Sequence, residues 1–594
     1  MNQSGQSILK KSIMKKAKYL PDWMLLLTGI VLVLIYAILQ IPGNEGFNPS
    51  DDGVILAQSY RLIQGQIPHL DFISIRPVGS AILHAINFFS FMPLEISARW
   101  LTLLEYLIFS LAWTWLFVKC WRKQSVLLQI LLPVILGIWV FILNQNHYNL
   151  FPWTTIDAVF LFSMALFFYL LPQKNNTKHI KWHRLLLISM FAVSASLCRQ
   201  TFALPSLILL VILVSRSLIR KKFIVSSLAI LLGAFPGWIY LGLLLKHGLI
   251  SDFISQMTGR TELWQTGIVR FGYEFWHSPA LGIFLALVAI VLYKRLSQVK
   301  LNWMSVLLKS GGWFDQLSLL LAVLIAFMIF IIPTQLFSLS FILFWLLLSQ
   351  FILAYYRQNV KSFAKRLTVW ILILAWTSAI SLGDNAPVFS TGLLFGGILI
   401  NTVPFMRIGL LTKPYLRVIW YIGISSVSII FLAVGIWGQM QNNYRDLGAE
   451  SLHFGLAEEY PEMGPINTNQ RTFAYLQEIN RIYHQLDMPL GRFVAIPNGT
   501  LIYPLLDSPN PFPLDWMQGP EFVGQDSLVR KRMSDALDKE EIFVLLDRFN
   551  SKLLADTLLP MMFDLKSYSY YGDLINHTTE TDVSSEWFTV RKSK

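Results

Sequence analysis

Over its first 437 positions the chain alternates long apolar runs with short polar stretches. A helix needs about 20 apolar residues to cross a bilayer core, and only helices or closed barrels satisfy their backbone there. The pattern predicts about thirteen spanning helices on that criterion. They are Met24–Ile41 and segments near 97–118, 125–143, 154–171, 184–198, 201–215, 223–245, 278–293, 316–332, 335–355, 367–382, 388–405 and 417–437. A long polar loop, 42–76, follows the first run. Residues 77–92 (PVGSAILHAINFFSFM) are too short to span and read as an interfacial or re-entrant helix.

After residue 437 the pattern changes. Asn467–Leu486 carries Phe473, Leu476, Ile479 and Ile482 at helical spacing. Short apolar runs at Phe493–Ile496, Ile542–Leu546 and Trp587–Val590 read as strands, with helices expected over Asp526–Leu537 and Leu553–Leu559. Helix and strand alternate, so 438–594 is expected to be a small α/β domain with a mainly parallel sheet. No phosphate loop or glycine-rich fingerprint occurs in it. The fold expected is thus a polytopic helical membrane protein, 1–437, carrying an extracytoplasmic α/β domain, 438–594.

Composition agrees. The 594 residues are 54% hydrophobic and 14% charged, with mean hydropathy +0.52, against about 25% charged in soluble domains. The two cysteines, Cys120 and Cys198, exclude a disulfide framework. The net charge of +13 hides a split: residues 1–437 hold 34 Lys+Arg and 13 Asp+Glu, whereas 438–594 hold 14 and 22. The cations of the first part fall in short loops between spans, which argues against nucleic-acid binding and sets topology. With a cytoplasmic N-terminus, 27 of its 34 cations lie inside and ten of its 13 carboxylates outside. The α/β domain then lies outside, as do the longer loops Asn144–Trp153 and Lys246–His277, where sites tend to form. Treating 77–92 as a span would invert this order.

The stretch SDDGVILAQSYRLIQGQIPHLDFISIRPVG, Ser50–Gly79, is crowded with groups that membranes avoid. Asp51 and Asp52 could merely occupy the first turn of a helix capped by Ser50. They also stand at the lipid–water boundary, where ionisable groups are functional candidates, and a carboxylate can take a proton from an attacking hydroxyl. Asp71 and Arg76 either pair locally across a turn or help hold an anionic headgroup. Arg199, in CRQTFALP, is either a snorkelling helix-end cation or a fork for phosphate oxygens. Asp157, in WTTIDAVFLF, is either a helix N-terminal charge or a further acid near the first pair. Arg260, with Glu262 and Arg270, lies on a loop long enough to form a lid, though a solvated surface is the plain reading. A divalent cation is compatible with the acids, but no HExxH or CxxC spacing calls for one, and no metal ligand is assigned.

The order of a span, an acid pair, Gly65–Pro68 as G-x-x-P, Arg76-Pro77 as a basic-Pro turn and then a non-spanning helix resembles the first outer loop of GT-C membrane glycosyltransferases. It is most similar to the protein O-mannosyltransferase and aminoarabinose-transferase group. The specific motifs lie within residues 49–79, while the layout extends over most of the chain. Val494–Pro497 (VAIP) and Asn510-Pro511 are similar to features of their outer domains. Two departures stand out: Asp52 where Glu is usual, and Arg76-Pro77-Val78 for the commoner Lys-Pro-Pro. The resemblance implies Asp51 as catalytic base, Asp52 as its acidic neighbour, Asp157 as a further acid and Arg199 as the contact to a lipid phosphate. It implies transfer of a sugar from a polyprenyl-phosphate donor to an acceptor hydroxyl, with inversion, at the outer face of a bacterial plasma membrane. Arg76, Asp71 and Arg260 are the remaining expected substrate contacts. A transporter or lipid-linked sugar flippase is the alternative, although such proteins usually place polar groups near the midplane. Here Glu105 is the clearest charge inside a span. A third reading is an assembly partner whose outer domain binds glycan.

Overall fold

A computed structural model describes residues 45–119, 126–171, 180–219, 223–258, 262–277, 282, 312–356, 362–380, 386–402, 414–522, 524–550, 554–555 and 564–594. The expected spans Met24–Ile41 and 278–293, the expected helix Leu553–Leu559 and Arg260 lie wholly or mostly outside them.

The described chain is mainly helical. The outer loop contributes α1 (Val54–Ile63) and α2 (Gly79–His84), the latter continued by a 3-10 turn over Ala85–Phe89. The bundle follows with α3 (Leu94–Lys119), α4 (Val126–Gln145), α5 (Thr154–Leu170), α6 (Trp182–Cys198), α7 (Ala203–Ile219), α8 (Phe223–Gly233) and α9 (Phe235–Lys246). Two outer-loop helices, α10 (Ile250–Thr258) and α11 (Glu262–His277), come next. The rest of the bundle is α12 (Gly312–Ile331), α13 (Leu336–Tyr356), α14 (Ser362–Ala379), α15 (Thr391–Thr402) and α16 (Pro414–Gln441). Each described bundle helix overlaps an apolar run. The expected span 223–245 is broken: α8 and α9 meet at 59°. Pro236 at the start of α9 supplies the break. By length and composition, Leu94–Lys119, Gln200–Leu218 and Pro333–Ile352 can each cross a membrane, and the bent pair makes a fourth candidate. Thr154–Leu170 and Trp182–Cys198 are apolar but shorter.

The bundle packs around an apolar core in which α3 lies against α4 and α5, α5 against α6, and α6 against α8. Helix α2 sits on α6. Gly79 makes that approach: a Cβ there would lie 2.5 Å from the Leu197 carbonyl carbon.

In the C-terminal part, α17 (Gln470–Gln485) starts behind Asn469, whose side chain accepts from Arg471 N and Thr472 N. Two small strands, β1 (Phe454–Gly455) and β2 (Asn467–Thr468), precede it as an antiparallel pair. The main sheet holds β3 (Phe493–Ile496), β4 (Phe543–Asp547), β5 (Thr578–Glu580) and β6 (Phe588–Ser593) in the order β3-β4-β6-β5. Only β3 and β4 are parallel, joined through α18 (Asp526–Lys539); β4/β6 and β6/β5 are antiparallel. The expectation of a mainly parallel sheet therefore fails. The short α19 (Tyr571–His577) precedes β5, and the connection from β5 to β6 is too short for a helical crossover. Strands β3 and β4 are buried on both faces, which explains their continuous apolar runs. Phe493, Ala495, Phe543 and Leu545 face α17, and Val494, Ile496, Val544 and Leu546 face α18.

The outer loop is part of this second core. Phe47, Leu56 and Ala57 pack with the α17 side and Ile73 with the α18 side. Gly53 abuts the backbone of Leu501, where a Cβ would fall 2.3 Å from its nitrogen.

Candidate active site on the outer loop

The acid pair does not occupy a helix start. Helix α1 begins at Val54 with no acidic residue in its first turn, and its N-cap is Gly53. Residues 48–53 form a tight turn instead. The Asn48 side-chain carbonyl accepts from Ser50 N and Asp51 N, both at 3.1 Å, and Asp52 Oδ2 accepts from Asn48 N at 3.2 Å. Capping thus does not account for the pair, because the turn closes before the helix opens.

The two acids have different surroundings. Asp51 Oδ2 accepts from the Tyr444 hydroxyl at 2.9 Å and from Arg445 Nη1. Arg445 is half-buried, in the segment after α16, with its backbone at φ +54°. Asp52 is fully buried; its Oδ2 faces Arg99 Nη2 at 3.5 Å, and its Oδ1 has no partner among the described residues. Burial pushes the Asp52 carboxyl well above its usual range, against the opposing charge of Arg99.

Arg99 links Asp52 to a further buried acid. Arg99 Nε donates to Glu95 Oε1 at 3.1 Å. At the end of α2, His84 Nε2 lies 3.3 Å from Asp157 Oδ1. Asp157 sits in the first turn of α5, fully buried. Of the candidate acids, Asp51 and Asp52 stand together, while Asp157 pairs with His84.

Arg199 leaves the end of α6 in extended conformation. Its guanidinium donates to Thr155 Oγ1 and, at 2.6 Å, to the carbonyl of Ile380. It is buried and has no carboxylate at salt-bridge distance among the described residues. Burial first, and then the charge of nearby Arg76, pull its pKa to about 9, so it is still a cation at neutral pH. Arg76 itself is held in a fork by Glu521, at 2.9 and 2.7 Å. The local Asp71–Arg76 pair considered from the sequence is therefore not formed. Asp71 is exposed and closes its own turn, accepting from Ile67 N at 2.6 Å; it stands apart from the other candidates. Arg76 and Arg199 come together because Gln200 ties to the backbone of Ile75 at 3.1 Å.

Next to this cationic pair lies an almost wholly apolar cavity of about 510 Å³. Val78, Gly79, Leu197 and Cys198, the chain neighbours of the two arginines, line it with Pro236 and Tyr240. Neither arginine lines it, and its apolar walls suit a hydrocarbon chain.

The α/β domain holds the loop through buried polar contacts. Arg61 Nε donates to Asp515 Oδ1 and Oδ2 at 2.8 and 2.9 Å, and Arg61 Nη2 to the Phe512 carbonyl at 2.7 Å, all buried. Ser50 Oγ meets Asn498 Oδ1 at 3.1 Å, and the Tyr60 hydroxyl meets Asp507 at 2.7 Å. Sequence reasoning missed Tyr444, Arg445, Arg99, Glu95, His84, Asp515 and Glu521. Apart from the i, i+4 pair Glu95–Arg99, their partners are distant in the chain and no local spacing marks them.

No family model and no curated protein matches the chain. Among solved structures it is similar to ArnT from Cupriavidus metallidurans in the apo state, with TM-score 0.41, 13% identity, and 95% of this chain and 97% of that chain covered. It is also similar to ArnT from the same organism bound to undecaprenyl phosphate, with TM-score 0.39, 15% identity and coverage of 95% and 98%.

Proposed function

We propose that the chain is an integral-membrane glycosyltransferase that moves a sugar from a polyprenyl-phosphate donor to an acceptor hydroxyl at the outer face of a bacterial plasma membrane. The reading takes the topology as about thirteen spans, with the N-terminus cytoplasmic and the α/β domain outside. The observation that carries it is the buried guanidinium of Arg199 beside Arg76, with no carboxylate at salt-bridge distance among the described residues, on segments whose chain neighbours line an apolar cavity. A buried cation of this kind is costly unless an anion completes it. A lipid phosphate supplies the anion and the lipid tail fills the cavity.

In the proposed step an acceptor hydroxyl gives its proton to the Asp51 carboxylate as its oxygen bonds to the anomeric carbon. The bond from that carbon to the phosphate oxygen breaks, and the lipid phosphate leaves with the electron pair, held by Arg199 and Arg76. Attack opposite the phosphate inverts the anomeric centre. Asp51 has one oxygen engaged by Tyr444 and Arg445, so the other oxygen takes the proton. Glu521 must share Arg76 with the phosphate. Asp52, buried with one oxygen unpartnered, shapes the turn that aims Asp51.

The test uses the purified full chain with undecaprenyl phosphate as the lipid and a panel of polyprenyl-phosphate sugars as donors. Lipid retention by native mass spectrometry is expected to fall about 10-fold or more in Arg199→Ala, in line with loss of a charge-assisted contact. Unchanged retention, or full transfer by correctly folded Asp51→Asn, overturns the proposal.

A further inference from the structure

We infer that His84, Glu105 and Asp157 form a buried site for a borderline divalent transition-metal cation of the Zn²⁺ or Mn²⁺ class. Each offers one ligand atom, and the three atoms lie within 4.8 Å of one another. They come from three elements, the end of α2, the middle of α3 and the first turn of α5. Ligands at about 2.0–2.2 Å from a shared ion stand roughly 3–4 Å apart. The widest-spaced ligand atoms would close by up to roughly 1–2 Å to meet that geometry.

The electrostatics point the same way. Glu105 is 2% exposed and Asp157 fully buried. Neither oxygen of Glu105, nor Asp157 Oδ2, has a hydrogen-bond partner among the described residues. Two buried carboxylates against each other in an apolar bundle are strongly unfavourable when both are ionised. One divalent cation cancels their charge and occupies the bare oxygens at once.

The second layer suits the histidine. Asn87 lies 3.1 Å from His84 Nδ1 through its amide and accepts from Ser97 Oγ at 3.0 Å. The two ends of an amide are interchangeable in assignment. Turned over, the Asn87 carbonyl accepts the Nδ1 proton and its NH2 donates to Ser97. Nε2 is then bare and aimed at Asp157 and the cluster centre, the arrangement metal-binding histidines adopt. One nitrogen with two carboxylates favours a transition ion over Mg²⁺ or Ca²⁺, which take oxygen shells of six or more. The ion would pin α2 to the bundle. The site uses neither Asp51 nor Arg199 and assumes nothing about sugar transfer.

Purified full-length protein, passed over a chelating resin, is assayed by elemental analysis and then titrated with Zn²⁺, Mn²⁺, Mg²⁺ or Co²⁺. The expected result is close to one retained or rebound transition-metal equivalent per chain, a visible d–d band on Co²⁺ loading and a rise in melting temperature with Zn²⁺. Glu105→Gln, which keeps side-chain volume, should weaken Zn²⁺ binding about 10-fold or more and abolish the thermal shift. The wild type alone decides the matter even if the variant misfolds: no saturable Zn²⁺ or Mn²⁺ binding and no Co²⁺ band overturn the site. A Glu105→Gln protein that is more stable than wild type, with metal without effect on either, means that Glu105 and Asp157 share a proton instead, which also overturns it.

Discussion

Asp51 and Arg445 stand 394 residues apart in the chain and meet as an ion pair. The contact joins the acid turn after the first apolar run to the segment that leaves the last bundle helix. It gives Asp51 a fixed orientation, and Tyr444 supports the same oxygen at 2.9 Å. Arg445 is therefore a positioning residue. Arg445→Ala should lower kcat by about 10- to 100-fold through misplacement of the carboxylate, with the donor KM little changed. Arg445→Lys should restore part of it. A donor KM that rises while kcat holds would instead place Arg445 in lipid binding.

Asp51→Asn should abolish most transfer, by about 10²- to 10⁴-fold, the range of a lost general base, with the melting temperature nearly unchanged. Parallel rate and thermal-unfolding measurements on the same preparation check both halves.

The Arg61–Asp515 pair is buried at 2% and 6% exposure and joins the outer loop to the α/β domain. Truncating one partner strands the other charge, a loss of about 3–5 kcal/mol for such pairs. Asp515→Ala should therefore loosen the domain from the bundle, seen as new proteolytic cleavage and a lower melting temperature. Replacing both partners, Arg61→Met with Asp515→Leu, should recover part of that stability.

Gly53 has no room for a side chain, because Leu501 backbone fills the Cβ position. Gly53→Ala should cost about 1–3 kcal/mol, as overpacking does, and should reduce transfer by shifting the neighbouring acid turn. Gly272→Ala is the control: nothing lies within 4 Å of its Cβ position, and alanine is the better helix former. Melting temperatures of the two variants should move in different directions or by clearly different amounts.

The pH dependence of stability should reveal Asp52. Burial raises its folded pKa above the unfolded value of about 3.9, so the folded chain binds this proton more tightly. Stability is then lost as pH rises from about 4 through the raised value. Asp52→Asn removes the penalty, so the variant should melt higher than wild type at pH 8, with the difference vanishing near pH 4. Thermal unfolding across that range checks it; a variant that melts lower at pH 8 would reverse the sign.

The helical bundle was legible because hydropathy is a local property. The runs near 97–118, 154–171 and 335–355 coincide with α3, α5 and α13, since a bilayer demands length and apolarity whatever the neighbours. The bend at Gly233–Phe235 was missed, although Pro236 marked it. The strand runs at Phe493 and Phe543 were equally plain, being buried on both faces. The direction of β6 was not, because orientation depends on how the chain returns to the sheet.

In the candidate site the sequence determined which groups are chemically unusual: an acid pair after a span, an arginine between two spans, a glutamate inside one. Tertiary structure decided what each one meets. Asp51 meets Arg445, Arg76 meets Glu521, Arg61 meets Asp515, and Glu105 meets Asp157 and His84. Spacing along the chain carries no record of such pairs. They form because the α/β domain folds against the loop and because α2, α3 and α5 converge. Charge chemistry is written residue by residue, whereas charge compensation depends on distances that only the packed chain sets.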